Sequence, residues 1–171
     1  MENQRKRILV VDDEADVRNF LKAALLESGF EVVTAEDGII ALEKVKEKLP
    51  DLISLDLVMP KKSGAKFYHE LSKNKSWSKI PVIIVTGHAR DDLGKSDLRE
   101  LTMSGPGVYL EKPVKPDNYI AAIKNILKME VTEEEKEKAD IVSLQNDLKN
   151  GIDNADTETL KKLKEIIKNK K

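Results

Sequence analysis

Residues 8–14 read Ile-Leu-Val-Val-Asp-Asp-Glu, and this stretch decides the fold. Four consecutive apolar residues, three of them β-branched, are too few for a buried helix and make a strand. No polar residue alternates with them, so both faces of the strand must be covered, as in a parallel sheet between two layers of helices. The same grammar recurs at residues 52–55 (Leu-Ile-Ser-Leu), which end at Asp56, and at residues 82–85 (Val-Ile-Ile-Val), which end at Thr86. Weaker strands are expected at residues 32–34 and 108–110.

Helical patterns fill the intervals. Val17, Phe20, Leu21, Ala24 and Leu25 form an apolar stripe within residues 14–28, and Gly29 supplies a stop. Residues 39–48 place Ile39, Leu42 and Val45 at helical spacing ahead of Pro50. A third helix is expected over residues 65–71, after Gly64. A fourth, short one is expected near residues 97–103. A fifth is expected over residues 118–128, with Tyr119, Ile120, Ile123, Ile126 and Leu127 behind an Asp117 N-cap. Strand and helix alternate about five times. That order predicts an open α/β doubly wound five-stranded parallel sheet with right-handed crossovers and helices on both faces. It occupies residues 1–130.

Residues 131–171 are a different unit, with 9 basic and 10 acidic residues and no Pro, Trp, Tyr or Phe. Thr132 and Glu135 form a capping box ahead of Ala139, Ile141, Val142, Leu144 and Leu148. Lys149-Asn150-Gly151 reads as a helix end. A second helix beginning around Asp156 or Thr157 carries Leu160, Leu163, Ile166 and Ile167. The expectation is a helical C-terminal extension of two short amphipathic helices. Their apolar stripes need cover from each other, from the sheet domain or from another chain.

Composition narrows the function. The 171 residues carry 30 Lys and Arg against 31 Asp and Glu, which disfavours direct nucleic-acid binding by this chain. The absence of cysteine removes disulfides, thiol catalysis and thiolate metal sites. Two histidines, His69 and His88, make a histidine-rich zinc site a poor fit. His69 reads as part of a solvated helix face, and Trp77 as a lid over the loop before the fourth strand. No apolar run suits a signal peptide or membrane insertion, so a cytoplasmic location is expected.

The chemistry lies at strand ends. Asp12 and Asp13 follow the first strand and Asp56 the third. In an open α/β sheet those ends meet at the point where strand order reverses. Singly, such residues cap helices; together, their repulsion is best relieved by a hard divalent cation such as Mg²⁺. Thr86 and Lys112 end the last two strands, and a hydroxyl and an ammonium beside a metal–carboxylate cluster suit a phosphoryl group.

These motifs together resemble the receiver (CheY-like) domain of bacterial two-component response regulators, over roughly residues 5–129, and the resemblance implies the strand order 2-1-3-4-5 for the sheet. The resemblance rests on residues 8–14, 56–64 (Asp-Leu-Val-Met-Pro-Lys-Lys-Ser-Gly), 81–87 (Pro-Val-Ile-Ile-Val-Thr-Gly) and 109–113 (Tyr-Leu-Glu-Lys-Pro). It implies that Asp56 accepts a phosphoryl group from the phosphohistidine of a sensor histidine kinase or phosphotransfer protein in a phosphorelay. It implies that Asp13 and Asp56 ligate Mg²⁺ directly, that Asp12 helps through water, and that the Val58 backbone carbonyl is a further ligand. Thr86 would bind a phosphoryl oxygen. Lys112 would pair with the phosphoryl group, and with Asp56 beforehand, across a cis bond to Pro113. Thr86 and Tyr109 would form a switch that reshapes the surface around the helix near residues 97–103, the fifth strand and the fifth helix. Val58 and His88 hold the positions that tune autodephosphorylation, although His88 also reads as a solvated turn residue.

Two departures from the family pattern stand out. The interval from Thr86 to Lys112 is longer than is typical, and residues 103–107 (Met-Ser-Gly-Pro-Gly) replace the usual approach to the fifth strand with a turn. The expected protein is therefore a signalling phosphoacceptor with self-catalysed transfer and autodephosphorylation, not a dedicated metabolic enzyme. Its output would be contact with a protein partner or self-association. Alternatives are the receiver part of a longer DNA-binding regulator, a pseudo-receiver that only binds proteins, and a metal-dependent phosphatase. The last lacks the second acid two residues after Asp56, where Val58 stands.

Overall fold

A computed structural model describes residues 5–87 and 108–153, with the backbone alone for residue 143 and residues 145–153. Five strands, β1 (Arg7–Val11), β2 (Glu31–Ala35), β3 (Leu52–Leu55), β4 (Val82–Thr86) and β5 (Val108–Glu111), form one parallel sheet in the order β2-β1-β3-β4-β5. Helices α1 (Ala15–Glu27), α2 (Gly38–Glu47), α3 (Gly64–Lys73) and α4 (Pro116–Ile126) flank it, and α5 (Glu133–Asp153) follows. The expected doubly wound sheet with a helical extension is the observed architecture. His88, the helix expected near residues 97–103, the turn at residues 103–107 and the second tail helix lie outside the described residues.

Alternation along each strand divides the core in two. Leu9, Val11, Ile53, Leu55, Val82 and Ile84 pack with Ala41, Val45, Phe67 and Leu71 on the α2–α3 face. Ile8, Val10, Leu52, Ile83 and Val85 pack with Leu21, Leu25, Tyr119 and Ile123 on the α1–α4 face. The unbroken apolar strands are thus fully covered, and burial on this scale is the main favourable term in folding.

Several local expectations need correction. Phe20 is 48% exposed and Ile39 47% exposed. On α1 the inward arc centres on Leu21 and Leu25, which leaves Phe20 at its edge. On α2 the inward arc is Gly38, Ala41, Leu42 and Val45, which turns Ile39 outward. The N-cap of α4 is Lys115, with Pro116 opening the helix, and Asp117 sits in its first turn. Gly151 does not end α5, which runs on to Asp153 as one 21-residue helix.

Helix α5 is docked. Its Ala139 and Val142 are buried, and Val142 joins the α1–α4 side of the core. As a result α4 buries five consecutive residues, Tyr119 to Ile123, on all sides instead of a single stripe. The capping box forms in full: the Glu135 N–H donates to Thr132 Oγ1 (3.2 Å) and the Thr132 N–H to Glu135 Oε2 (2.9 Å). Lys124 of α4 grips the same Glu135 at 2.6 Å, and Lys138 bonds Asp117 at 2.9 Å.

Candidate functional site

Backbone pairing that runs past the strand ends builds the site. The Asp12 N–H donates to the Ala35 carbonyl (3.1 Å) and the Asp56 N–H to the Val11 carbonyl (2.9 Å). This sets Asp12 and Asp56 side by side where the chain order reverses between β1's neighbours. The Lys112 N–H donates to the Thr86 carbonyl (3.1 Å), which places those two residues together at the β4–β5 end. The Lys112–Pro113 peptide is cis.

One carboxylate oxygen from each of Asp12, Asp13 and Asp56 lies within 4.8 Å of the others. Asp12 and Asp56 are buried, whereas Asp13 is exposed at the mouth. Three oxygen donors converging from two strand ends fit a hard divalent cation and match no soft-metal site.

Lys112 reaches this cluster from β5. Its Nζ lies 2.7 Å from Asp12 Oδ2, 3.1 Å from Asp56 Oδ2 and 3.0 Å from Glu14 Oε1. Burial opposes the lysine's charge, but the hydrogen bond to Asp12, the charge of Asp56 and the contact with Glu14 outweigh it and hold its pKa above the usual value. Burial is also the largest influence on Asp12 and pushes its carboxyl up. Lys112 and the Glu14 N–H pull it down without cancelling that rise, and the Asp56 charge adds to it. An isolated ion pair would shift its two partners oppositely. Here one ammonium faces three carboxylates, and at Asp12 burial, not the neighbouring charges, decides the direction. A divalent cation would complete the balance.

Other groups hold the frame. Arg18 on α1 donates through one guanidinium nitrogen to the Asp12 and Asp13 carbonyls, at 2.7 and 3.0 Å, and so fixes the acidic turn. Asp12 Oδ1 accepts from the Glu14 N–H at 2.9 Å. After Asp56, the Val58 N–H points at Asp56 Oδ1 (3.4 Å) and the Gly64 N–H closes the loop on the Leu57 carbonyl (2.9 Å). A Cβ on Gly64 would lie 2.0 Å from the Asp56 carbonyl oxygen, so only glycine permits this approach.

Of the residues singled out from sequence, Asp12, Asp13, Asp56 and Lys112 come together directly. Thr86 is fully buried at its strand end. Val58 is half-buried beside Asp56, and Tyr109 is half-buried on β5 opposite Ile84, packed on the α2–α3 core. Trp77 is half-buried on that same core, within a single turn ahead of β4. Sequence reading did not anticipate Glu14 as a partner of Lys112, nor Arg18 or Gly64 in the frame. Glu14 stood in the quoted motif, but no sequence pattern reports a contact with a residue 98 positions away.

Fold and site together define a doubly wound α/β protein with an acidic, cation-ready cluster at its strand-order switch point. The family model for the "Response regulator receiver domain" matches residues 8–124, and the chain belongs to that family. "Probable transcriptional regulator ycf27" of Pyropia yezoensis is 37% identical over 130 residues, covering 75% of this chain and 50% of that protein. "Phosphate regulon transcriptional regulatory protein PhoB" of Escherichia coli K12 is 35% identical over 123 residues, 72% of this chain and 52% of that one. The chain thus spans about half the length of the curated relatives it matches. Among solved structures, a CheY-like response regulator receiver domain protein from Methanospirillum hungatei JF-1 superposes with a TM-score of 0.64. It is 26% identical, with 80% of this chain and 100% of that chain covered. Among the described residues no helix is long and apolar enough to cross a membrane.

Proposed function

We propose that this chain is a phosphoacceptor: Asp56 takes a phosphoryl group from a phosphohistidine on a sensor histidine kinase or phosphotransfer protein, with Mg²⁺ as cofactor. The observation that supports it is the convergence of Asp12, Asp13 and Asp56 with the Lys112 ammonium on one Asp56 oxygen. A carboxylate oxygen of Asp56 attacks phosphorus as the P–N bond to the donor imidazole breaks, and the imidazole leaves with the bonding electron pair and takes up a proton. Asp12, Asp13, Asp56 and the Val58 carbonyl would hold Mg²⁺, which offsets the charge of the transferring group. Lys112 turns from Asp56 to a phosphoryl oxygen, and Thr86 donates a hydrogen bond to another. Water attack on phosphorus restores Asp56 and releases phosphate, at a rate tuned by the residues at positions 58 and 88, Val58 and His88. Thr86 and Tyr109 form the switch, and residues 1–130 act as the receiver with residues 131–171 as its extension.

Intact mass after incubation with Mg²⁺ and a small acyl phosphate tests this. One phosphoryl adduct is expected on the wild type, dependent on Mg²⁺ and absent from Asp56→Asn. A folded wild type that binds Mg²⁺ and takes no phosphoryl group from either an acyl phosphate or a phosphohistidine protein would make the chain a binding module instead. A second reading draws on the span of the relatives, two of which are named transcriptional regulators: the chain serves as the receiver part of a longer DNA-binding regulator. The mass of the protein isolated from its own cells decides between the two.

A further inference from the structure

The loop that carries Asp56 and Val58 is pinned at both ends, and its far end is held by residues outside the acid cluster. At the near end stand the Gly64–Leu57 hydrogen bond and the contact of Gly64 with the Asp56 carbonyl. At the far end the loop leans on the first turn of α2. The Gly38 N–H donates to the Lys62 carbonyl at 3.3 Å, and a Cβ on Gly38 would meet Lys62 Cγ at 2.8 Å. Asp37 is 1% exposed although it caps a surface helix. Its Oδ1 accepts from the Ile39 and Ile40 N–H groups, at 2.8 and 3.0 Å. Its Oδ2 takes the Lys61 ammonium at 2.9 Å, with Glu36 behind at 3.9 Å.

Lys61 itself has φ +61. A lysine has no local reason to adopt a left-handed backbone, where glycine or asparagine is usual. In this conformation its ammonium lies 2.9 Å from Asp37 Oδ2.

We infer that Asp37 and Lys61 form a clamp between the α2 N-terminus and the Asp56 loop, and act as positioning residues for the cation site. This rests on the phosphoacceptor reading for its purpose, and the geometry stands apart from it. Met59 and Leu57 bury their side chains in the core between the two pins. With the core, Gly64 and the clamp all engaged, the loop has one conformation in which to present Asp56 and the Val58 carbonyl. Without the clamp, residues 60–62 regain freedom, and cation binding must restrict them again. Loss of such a supporting contact weakens metal sites without touching a ligand.

The test is calorimetric titration of the full chain with Mg²⁺ alone, comparing wild type with Lys61→Met, Lys61→Arg, Asp37→Asn and the Lys61→Met/Asp37→Asn double variant. Asn keeps the helix cap and Met keeps the exposed stem, so the variants fold, and circular dichroism verifies it. Lys61→Gly is a further variant, which removes the clamp while easing the backbone. Lys61→Met, Lys61→Gly and Asp37→Asn are expected to bind Mg²⁺ about tenfold more weakly, the double variant no worse than either single one, and Lys61→Arg close to wild type. A lowered melting temperature with unchanged Mg²⁺ affinity would reduce the pair to a helix cap and overturn the inference. So would additive losses in the double variant. If the wild type binds Mg²⁺ but accepts no phosphoryl group, the functional reading fails while the Mg²⁺ comparison still decides the clamp. A wild type that binds no Mg²⁺ removes both.

Discussion

At Asp12, folding places a carboxylate where its charge is poorly compensated. Desolvation raises its pKa most, the Asp56 charge adds to the rise, and Lys112 and the Glu14 N–H only partly oppose them. A carboxyl whose folded pKa lies above its unfolded one, about 3.9, gives up stability as pH rises from that value to the folded pKa. Asp12→Asn is therefore expected to melt above wild type at pH 7 without Mg²⁺. The gap should close below pH about 4, where the unfolded carboxyl is protonated as well. Scanning calorimetry in EDTA at several pH values measures it, and a less stable Asn variant at pH 7 would contradict the electrostatic account. Gly64 makes a steric counterpart. Since a Cβ there meets the Asp56 carbonyl at 2.0 Å, Gly64→Ala must move backbone, at a cost of about 3 kcal/mol or more. A urea midpoint equal to that of wild type would refute the close approach.

Elements in this chain take their limits from partners as much as from their own residues. The inward arcs of α1 and α2 were legible in outline, yet Phe20 and Ile39 face water, because hydrophobic spacing allows a stripe wider than the sheet covers. Helix α5 is the clearest case. Its capping box was readable from Thr132 and Glu135, since that signal is local, whereas its seat on α4 and its passage through Gly151 were not. Val142 is 3% exposed within the α4 side of the core. Val142→Ala is expected to lower stability by about 2 kcal/mol, read from chemical denaturation, while Ile141→Ala, at a site 50% exposed, changes it little. The pairing at the helix start also titrates. The Lys124 ammonium, first, and the Thr132 N–H hold the Glu135 carboxyl below its usual range. Its contribution is present above the unfolded value, about 4.3, and is lost as pH falls through the folded one. Amide exchange should therefore loosen at α5 before the sheet as the solution is acidified below pH about 4. Simultaneous loosening of both would show that α5 is no separate unit.

For the whole molecule, burial governs both the cation site and the seat of α5. The acids sit where strand order reverses, so any divalent cation that binds there binds only the folded chain. By linkage, Mg²⁺ at about 100 times its dissociation constant should add about 2.7 kcal/mol to unfolding, and Asp13→Asn should blunt the effect; a melting temperature indifferent to Mg²⁺ and EDTA would count against the site. Ending the chain after residue 131 should uncover the faces of α4 and β5 that α5 covers, lower stability and raise the particle mass per chain seen by light scattering; unchanged stability with an unchanged number of chains per particle would show the extension to be dispensable. The sequence alone determined the five strands, helices α1 to α4 among the described residues, and Asp12, Asp13, Asp56 and Lys112 as strand-end polar groups, while the strand order came from the family resemblance. The first three follow from apolar runs, from periodicity and from polar groups at strand ends, all of which are local. Only the tertiary structure decided that Glu14 joins Lys112, that Arg18 and Gly64 frame the acidic turn and the Asp56 loop, that Asp37 grips Lys61, and that α5 lies on α4. Those are contacts between residues far apart in the chain, where burial and steric fit select one partner among many that the residue types alone would permit.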